Sequence, residues 1–119
     1  MDTSTQPSTT TTTVTITAIT IDCADALATA TFWSELTGLA LQDGATTEAA
    51  ALGGGPVALC FAAVPEPKST KNRVHLGLGV ESLPVAVARA IELGARVETA
   101  FDGWTVLVDP FGNEFCLVG

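Results

Sequence analysis

The chain has 119 residues, which is the usual length of one domain and is enough to bury a core without disulfides or a structural metal. Its formal net charge of −8 argues against nucleic acid or an anionic membrane surface as a partner. Three cysteines without CxxC spacing, in a chain with no long apolar run, favour buried thiols in a cytoplasmic protein.

The chain begins with a Thr- and Ser-rich stretch, residues 1–13, which is predicted to be a disordered tail. The rest of the chain, residues 14–119, is predicted to form a single domain. The β-branched run at residues 14–23 indicates its first strand. Alternation along this strand places Thr20 and Asp22 on the face opposite to the isoleucines.

A helix is predicted over residues 26–36, with Asp25 as its N-cap and Gly38 as its C-terminal stop. Short β-rich segments separated by glycine turns follow the helix. They predict three strands, at residues 39–42, 46–52 and 57–63.

A second unit repeats this order after a linker at residues 65–72, where two prolines prevent a paired strand. It contains a strand, a helix with Ser82 as N-cap, and three further strands, at residues 73–80, 83–93, 95–99, 104–108 and 113–118. The chain therefore divides into two βαβββ modules, residues 14–64 and residues 73–119. A repeat of this length indicates one supersecondary unit used twice.

Two segments carry a family resemblance: Asn72-Arg73-Val74-His75-Leu76, and the ending that starts with Asp109-Pro110-Phe111-Gly112-Asn113. With the repeated order, they resemble the vicinal oxygen chelate superfamily of glyoxalase I, bleomycin-resistance proteins and extradiol dioxygenases, and most of all its glyoxalase-like branch. The resemblance implies an α+β fold in which two tandem βαβββ modules form a cupped, half-open, eight-stranded mixed sheet with the helices outside. It also implies a homodimer.

Metal-dependent members of this superfamily take four His, Glu or Gln ligands from the first and fourth strands of each module. The matching positions of this chain are Ala18, Cys60, His75 and Cys116. Only His75 matches a ligand by type and position, and alanine cannot bind a metal. We therefore expect no metal cofactor, with a single divalent metal at His75 as the alternative.

His75 and Glu114 are the candidate catalytic residues. An unperturbed imidazole titrates near neutrality, so that His75 is either a metal ligand or general base, or a cleft-wall residue hydrogen-bonded to a neighbour. Glu114 is predicted to face the same cleft. Desolvation there would raise its pKa and suit it to acid or base catalysis, whereas pairing with Arg73 would not.

One strand face of each module is expected to line a shared cleft. The residues of that face are predicted to bind the ligand, and they are Thr20, Asp22, Cys60, Ala62, Gly77, Trp104 and Cys116. Trp104 is the candidate aromatic wall, whereas Trp33 is expected in the core.

Two further groups have open interpretations. Cys60, Cys116 and His75 suit zinc by ligand type, although cysteine more often acts as a small buried apolar residue. Lys68 and its basic neighbours Lys71 and Arg73 either steer an anionic ligand toward the cleft or form a solvated linker.

These observations favour a glyoxalase/bleomycin-resistance-like protein that binds a small apolar or aromatic ligand without a metal. The alternative is a metal-dependent lyase, isomerase or dioxygenase of the glyoxalase type that uses His75 and Glu114. Measurement of the metal content would separate the two classes.

Overall fold

The computed structural model describes residues 12–119. Most of the predicted Thr-rich tail, residues 1–11, therefore lies outside the described residues. The described part is an α+β fold with two helices and eight strands, in the order βαβββ-βαβββ. None of its helices is both long and apolar enough to cross a membrane.

Each half of the described chain contributes one of the two predicted βαβββ modules. The elements of the first half are β1 (Ala18–Cys23), α1 (Ala26–Thr37), β2 (Ala40–Leu41), β3 (Ala49–Gly53) and β4 (Ala58–Ala63). The elements of the second half are β5 (Leu76–Gly79), α2 (Leu83–Glu92), β6 (Arg96–Phe101), β7 (Trp104–Val108) and β8 (Glu114–Val118).

The strands form two mixed sheets of four, and the two sheets have the same topology. Their strand orders are β1-β4-β3-β2 and β5-β8-β7-β6. The first strand of each half pairs in parallel with the last, whereas the remaining pairs are antiparallel. Strands β1 and β5 are therefore edge strands, and each pairs with only one strand of its own sheet.

Both helices begin and end as their sequences predict. The Asp25 carboxylate accepts a hydrogen bond from the Ala28 N–H at 2.9 Å, and Gly38 adopts the left-handed conformation that ends α1. Ser82 accepts one from the Val85 N–H at 3.4 Å at the start of α2. Local capping chemistry thus fixes these boundaries.

Strand β1 is shorter than predicted, because residues 14–17 do not belong to it. Its partner β4 begins only at Ala58, after the turn that contains Pro56, and the Ala58 N–H donates to the Thr17 carbonyl at 3.0 Å. Before Thr17, no strand of the described residues pairs with the β-branched run, and Val14 and Ile16 are exposed.

Helix α1 packs against both halves of the molecule. Phe32 and Trp33 are buried, and their rings meet the ring of Phe115 on β8 at centroid distances of 6.1 and 5.0 Å. Helix α2 has a narrower buried face around Ala90, and Ile91 is 50% exposed. One continuous core therefore joins the two modules.

The turn before β8 is tied to α1 through Asp109. This carboxylate is fully buried and accepts hydrogen bonds from the backbone N–H groups of Phe111 and Asn113, both at 2.9 Å. The Trp33 indole N–H donates to its other oxygen at 3.0 Å. The Asp-Pro-Phe-Gly-Asn motif thus closes a turn and also docks the first module on the second.

Candidate functional site

A cavity of about 550 Å³ lies between the edge strand β1 and the region where β5 and β8 begin. The residues that line it come from β1, α1, the segment before β5, and the turn before β8. They are Ile19, Thr20, Ile21, Asp22, Trp33, Lys68, Thr70, Lys71, Asn72, Arg73, Val74, His75, Leu76, Asn113 and Glu114.

Four of the predicted site residues line this cavity together. Thr20 and Asp22 come from β1, His75 immediately precedes β5, and Glu114 is the first residue of β8. His75 is exposed, whereas the next residue, Leu76, packs against the core. The predicted alternation therefore has the correct phase at the start of β5.

Gly77 and Gly79 leave open space along the exposed face of β5. A Cβ atom built on either glycine would meet no heavy atom of the described residues within 4 Å. Neither residue lines the cavity that contains His75, so that the free space lies further along the strand.

The predicted linker forms one wall of the cavity. We call residues 68–74 the linker wall, since six of these seven residues line the cavity. Glu114 binds the linker wall through both carboxylate oxygens. One accepts a hydrogen bond from the Asn72 N–H at 2.6 Å, and the other pairs with the Lys68 ammonium at 3.2 Å. The Asn72 side chain returns to β8 by accepting from the Glu114 N–H at 3.2 Å. Lys68 also donates to the Thr70 carbonyl.

These contacts set the charge state of Glu114. Burial of the carboxyl raises its pKa, but the hydrogen bonds from Asn72 and Lys68 and the positive charges of Lys68 and Lys71 outweigh this effect. The pKa of Glu114 is therefore lowered, not raised as a general acid would require. The partner that the sequence suggested was Arg73, whereas the structure pairs Glu114 with Lys68. Its proposed catalytic role stays a prediction.

Not all of the residues predicted to line the shared cleft line the cavity that contains His75. Cys60 and Ala62, with Thr20, line a separate open depression of about 400 Å³ on the first sheet. Cys116 is buried, and neither it nor Trp104 lines the cavity that contains His75.

Strand register explains why Trp104 is remote. Trp104 pairs with Val118 at the end of β8, whereas Glu114 begins that strand. Four residues of extended strand span roughly 13 Å. Trp104 instead stacks on Phe101, with ring centroids 4.5 Å apart and an interplanar angle of 16°. The tryptophan that lines the cavity is Trp33, which also packs in the core as predicted.

Within one chain, the residues present do not form a four-ligand metal site like that of the metal-dependent superfamily members. Among residues 12–119, no three His, Cys, Asp or Glu side chains lie close enough together to hold a metal. His75 is not joined by Cys60 and Cys116, and both oxygens of Glu114 already accept hydrogen bonds. The zinc interpretation therefore has no support from the geometry.

Two features of this site were not predicted from the sequence. Residues 65–72 were predicted to be a linker, and the hydrogen bonds that join Asn72 and Lys68 to Glu114 were not expected. Ile19 and Ile21, which lie on the edge strand β1 and line the cavity from the core side, were not predicted as site residues either. The proximity of Asn72 to His75 in the sequence was the available signal.

Several known structures share this fold. A glyoxalase/bleomycin resistance protein/dioxygenase family enzyme from Burkholderia phytofirmans PsJN is similar over 85% of this chain and 94% of its own, with 20% identity and a TM-score of 0.73. A glyoxalase/bleomycin resistance protein from Albidiferax ferrireducens T118 covers 87% of this chain and 96% of its own, with 19% identity and a TM-score of 0.66.

A neighbour with lower sequence identity is the fosfomycin resistance protein FosX from Listeria monocytogenes, solved as a mutant with Mn(II) and 1S,2S-dihydroxypropylphosphonic acid. It covers 91% of this chain and 90% of its own, with 12% identity and a TM-score of 0.71. No curated protein matches the chain in sequence. The sequence profile of the glyoxalase-like domain family matches residues 18–118. The chain thus belongs to the glyoxalase-like domain family.

Proposed function

We propose that this protein binds a small apolar or aromatic molecule, without a metal, in the cavity between β1 and the linker wall. The observation that carries the proposal is the cavity of about 550 Å³ with Ile19, Ile21 and Leu76 in its lining. Sites for small molecules commonly have volumes of about 300–1,000 Å³, with mostly apolar walls and a few polar groups that orient the ligand.

The metal-free part of the proposal rests on the donor atoms. The positions that correspond to metal ligands elsewhere in the superfamily hold Ala18, Cys60 and Cys116 beside His75. A metal recruited to His75 and Glu114 would have to displace Lys68 from the carboxylate. That exchange would cost one charge-assisted hydrogen bond and would bring two cations close together.

Ligand binding is tested with N-phenylnaphthylamine, an uncharged aromatic probe that fluoresces in apolar sites. We expect one molecule to bind per chain. Thr20→Trp should lower the affinity at least about tenfold, because the new ring occupies the cavity. Thr99→Trp, at an exposed position of β6 outside the cavity lining, is the matched control and should bind normally. Equal binding by both variants would contradict this assignment.

The metal content provides a second test. Protein purified without added metal should contain nickel, zinc, iron and manganese well below one equivalent per chain by elemental analysis. Chelator dialysis should not change its probe binding. One equivalent of any of these metals retained through dialysis would contradict the proposal and favour a metal-dependent lyase or dioxygenase.

We also propose that the protein is a cytoplasmic homodimer. The three cysteines, all within residues 12–119, are unpaired, and burial raises the pKa of the Cys23 thiol. Unpaired thiols are typical of a reducing compartment. An exposed apolar patch on the second sheet, formed by Phe101, Trp104 and Val118, supports association with a second copy.

A further inference from the structure

We infer that the ligand of this cavity is a small organic anion, whose negative group lies against Lys71 and Arg73 and whose apolar part lies against Ile19 and Ile21. This inference rests on the proposed binding function and specifies the class of ligand. The shared chemistry is an apolar or aromatic body that carries one carboxylate, sulfonate or similar group.

The basic and acidic residues of the chain are unevenly distributed around this cavity. Three of the five basic residues of this acidic chain line the cavity, whereas only two of its thirteen acidic residues do. The acidic pair is Asp22 and Glu114. The cavity lining is therefore a positively charged region on a protein whose net charge is −8. Such a region attracts anions and disfavours cations.

Glu114 forms an ion pair with only one of the three cations. Its carboxylate pairs with Lys68 at 3.2 Å, and within residues 12–119 no carboxylate lies within ion-pair distance of Lys71 or Arg73. Both residues are exposed and line the cavity. A ligand in the cavity can therefore pair with these two cations without displacing a carboxylate of the described residues.

The segment that carries these two cations is held in place at Asn72. Asn72 lies between them in the sequence, and both its backbone and its side chain are bound to β8 by hydrogen bonds of 2.6 Å and 3.2 Å to Glu114. A further bond of 3.3 Å joins Asn72 to Asn113. The linker wall is therefore fixed at the residue between Lys71 and Arg73, which lowers the entropic cost of ordering a binding site there.

The apolar side of the cavity determines where the body of the ligand lies. Ile19 and Ile21 are partly buried and pack against the core, and they line the same cavity as the cations of the linker wall. A molecule that has both an apolar and an anionic part satisfies both walls. A purely inorganic anion would leave the isoleucine wall uncovered.

The test compares two probes that differ by one charged group. Anilinonaphthalene sulfonate carries the same aromatic framework as N-phenylnaphthylamine plus a sulfonate. We expect the sulfonate to bind at least about tenfold more tightly to the wild-type protein, since a charge-assisted hydrogen bond contributes that much or more. Raising the salt concentration should weaken binding of the sulfonate only.

The variants Lys71→Gln and Arg73→Gln should each remove most of the preference for the sulfonate, which is the ratio of the two probe affinities measured on the same variant. Lys71→Arg, which keeps the charge, should retain the preference. Arg96→Gln removes the same charge outside the cavity lining and is the matched control. Its preference should match that of the wild-type protein.

The outcomes separate this inference from the proposed function. If both probes bind in the cavity with equal affinity, or if the two glutamine variants keep the preference, the anionic ligand class is overturned and the binding function stands. If neither probe binds to the wild-type protein, the binding function is overturned and the inference with it.

Discussion

Glu114 illustrates how one carboxylate organises a wall of the cavity. It accepts hydrogen bonds from the Asn72 N–H and from Lys68, and its side chain is only 10% exposed. Its pKa is lowered despite burial, so that the folded protein stabilises the ionised form. The stability gained in this way is present above the ordinary pKa of a glutamate and is lost as the pH falls through the lowered value.

The pH dependence of stability tests this role. Glu114→Gln should reduce the free energy of unfolding by roughly 1 kcal/mol at neutral pH, because the charged acceptor of two hydrogen bonds is replaced by a neutral amide. The difference from the wild-type protein should shrink as the pH falls below the ordinary glutamate value of 4.5. Urea unfolding at several pH values measures it. A difference that is constant with pH would contradict the assigned contacts.

Individual site residues were predictable where strand alternation determines their direction. Thr20, Asp22, His75 and Glu114 follow the period of two, which places them on the predicted side of their strands. The partner of Glu114 was not predictable, because Lys68 reaches it from an irregular segment whose path has no periodicity. The position of Trp104 outside the cavity was not predictable, because the register of β7 on β8 cannot be derived from alternation alone.

At the scale of elements, the contact between α1 and the turn before β8 joins the two modules. The Trp33 indole and the Asp109 carboxylate meet at 3.0 Å, and both residues are almost fully buried. A buried indole N–H and a buried carboxylate each need a partner, since an unsatisfied polar group in the core costs about 1–3 kcal/mol. The contact therefore stabilises the relative position of helix and turn.

A double-mutant cycle tests this contact. Trp33→Phe and Asp109→Asn should each reduce the free energy of unfolding by about 1–3 kcal/mol. The double variant should lose clearly less than the sum, because both changes remove the same hydrogen bond. Asp43→Asn, at an exposed turn position, is the control for Asp109→Asn, and a change of less than about 0.5 kcal/mol is expected. Strict additivity in chemical denaturation would exclude the proposed coupling.

The order of elements was predictable because it repeats and because local signals mark each boundary. Asp25, Gly38 and Ser82 define the helix ends through contacts within a few residues. The start of β1 was not predictable in the same way. Residues 14–17 have the composition of a strand, but a strand also needs a partner, and β4 begins only at Ala58.

At the scale of the whole molecule, the second sheet presents an apolar patch to solvent. Phe101, Trp104 and Val118 are neighbours across three adjacent strands and are 46%, 41% and 48% exposed. Their burial against a second copy would remove apolar surface from water. This patch is the surface that we propose for the homodimer.

Trp104→Glu should shift the protein toward the monomer, because a charge buried in an apolar interface without a partner is unfavourable. Sedimentation velocity at several concentrations measures the shift. Val85→Glu introduces the same charge on the exposed side of α2, where Val85 is 68% exposed, and should leave association unchanged. A wild-type protein that remains monomeric at all concentrations would contradict the proposed dimer.

The two halves share one backbone plan, yet their chemistry is unequal. Where the second half has His75 immediately before β5 and Glu114 at the start of β8, the first half has Ala18 and Ala58 at the starts of β1 and β4. The first half still contributes Thr20 and Asp22 to the cavity, but its two matching positions carry only methyl groups. Ala18 and Ala58 are neighbours on paired strands, so that a second pair of polar side chains could be installed there by design.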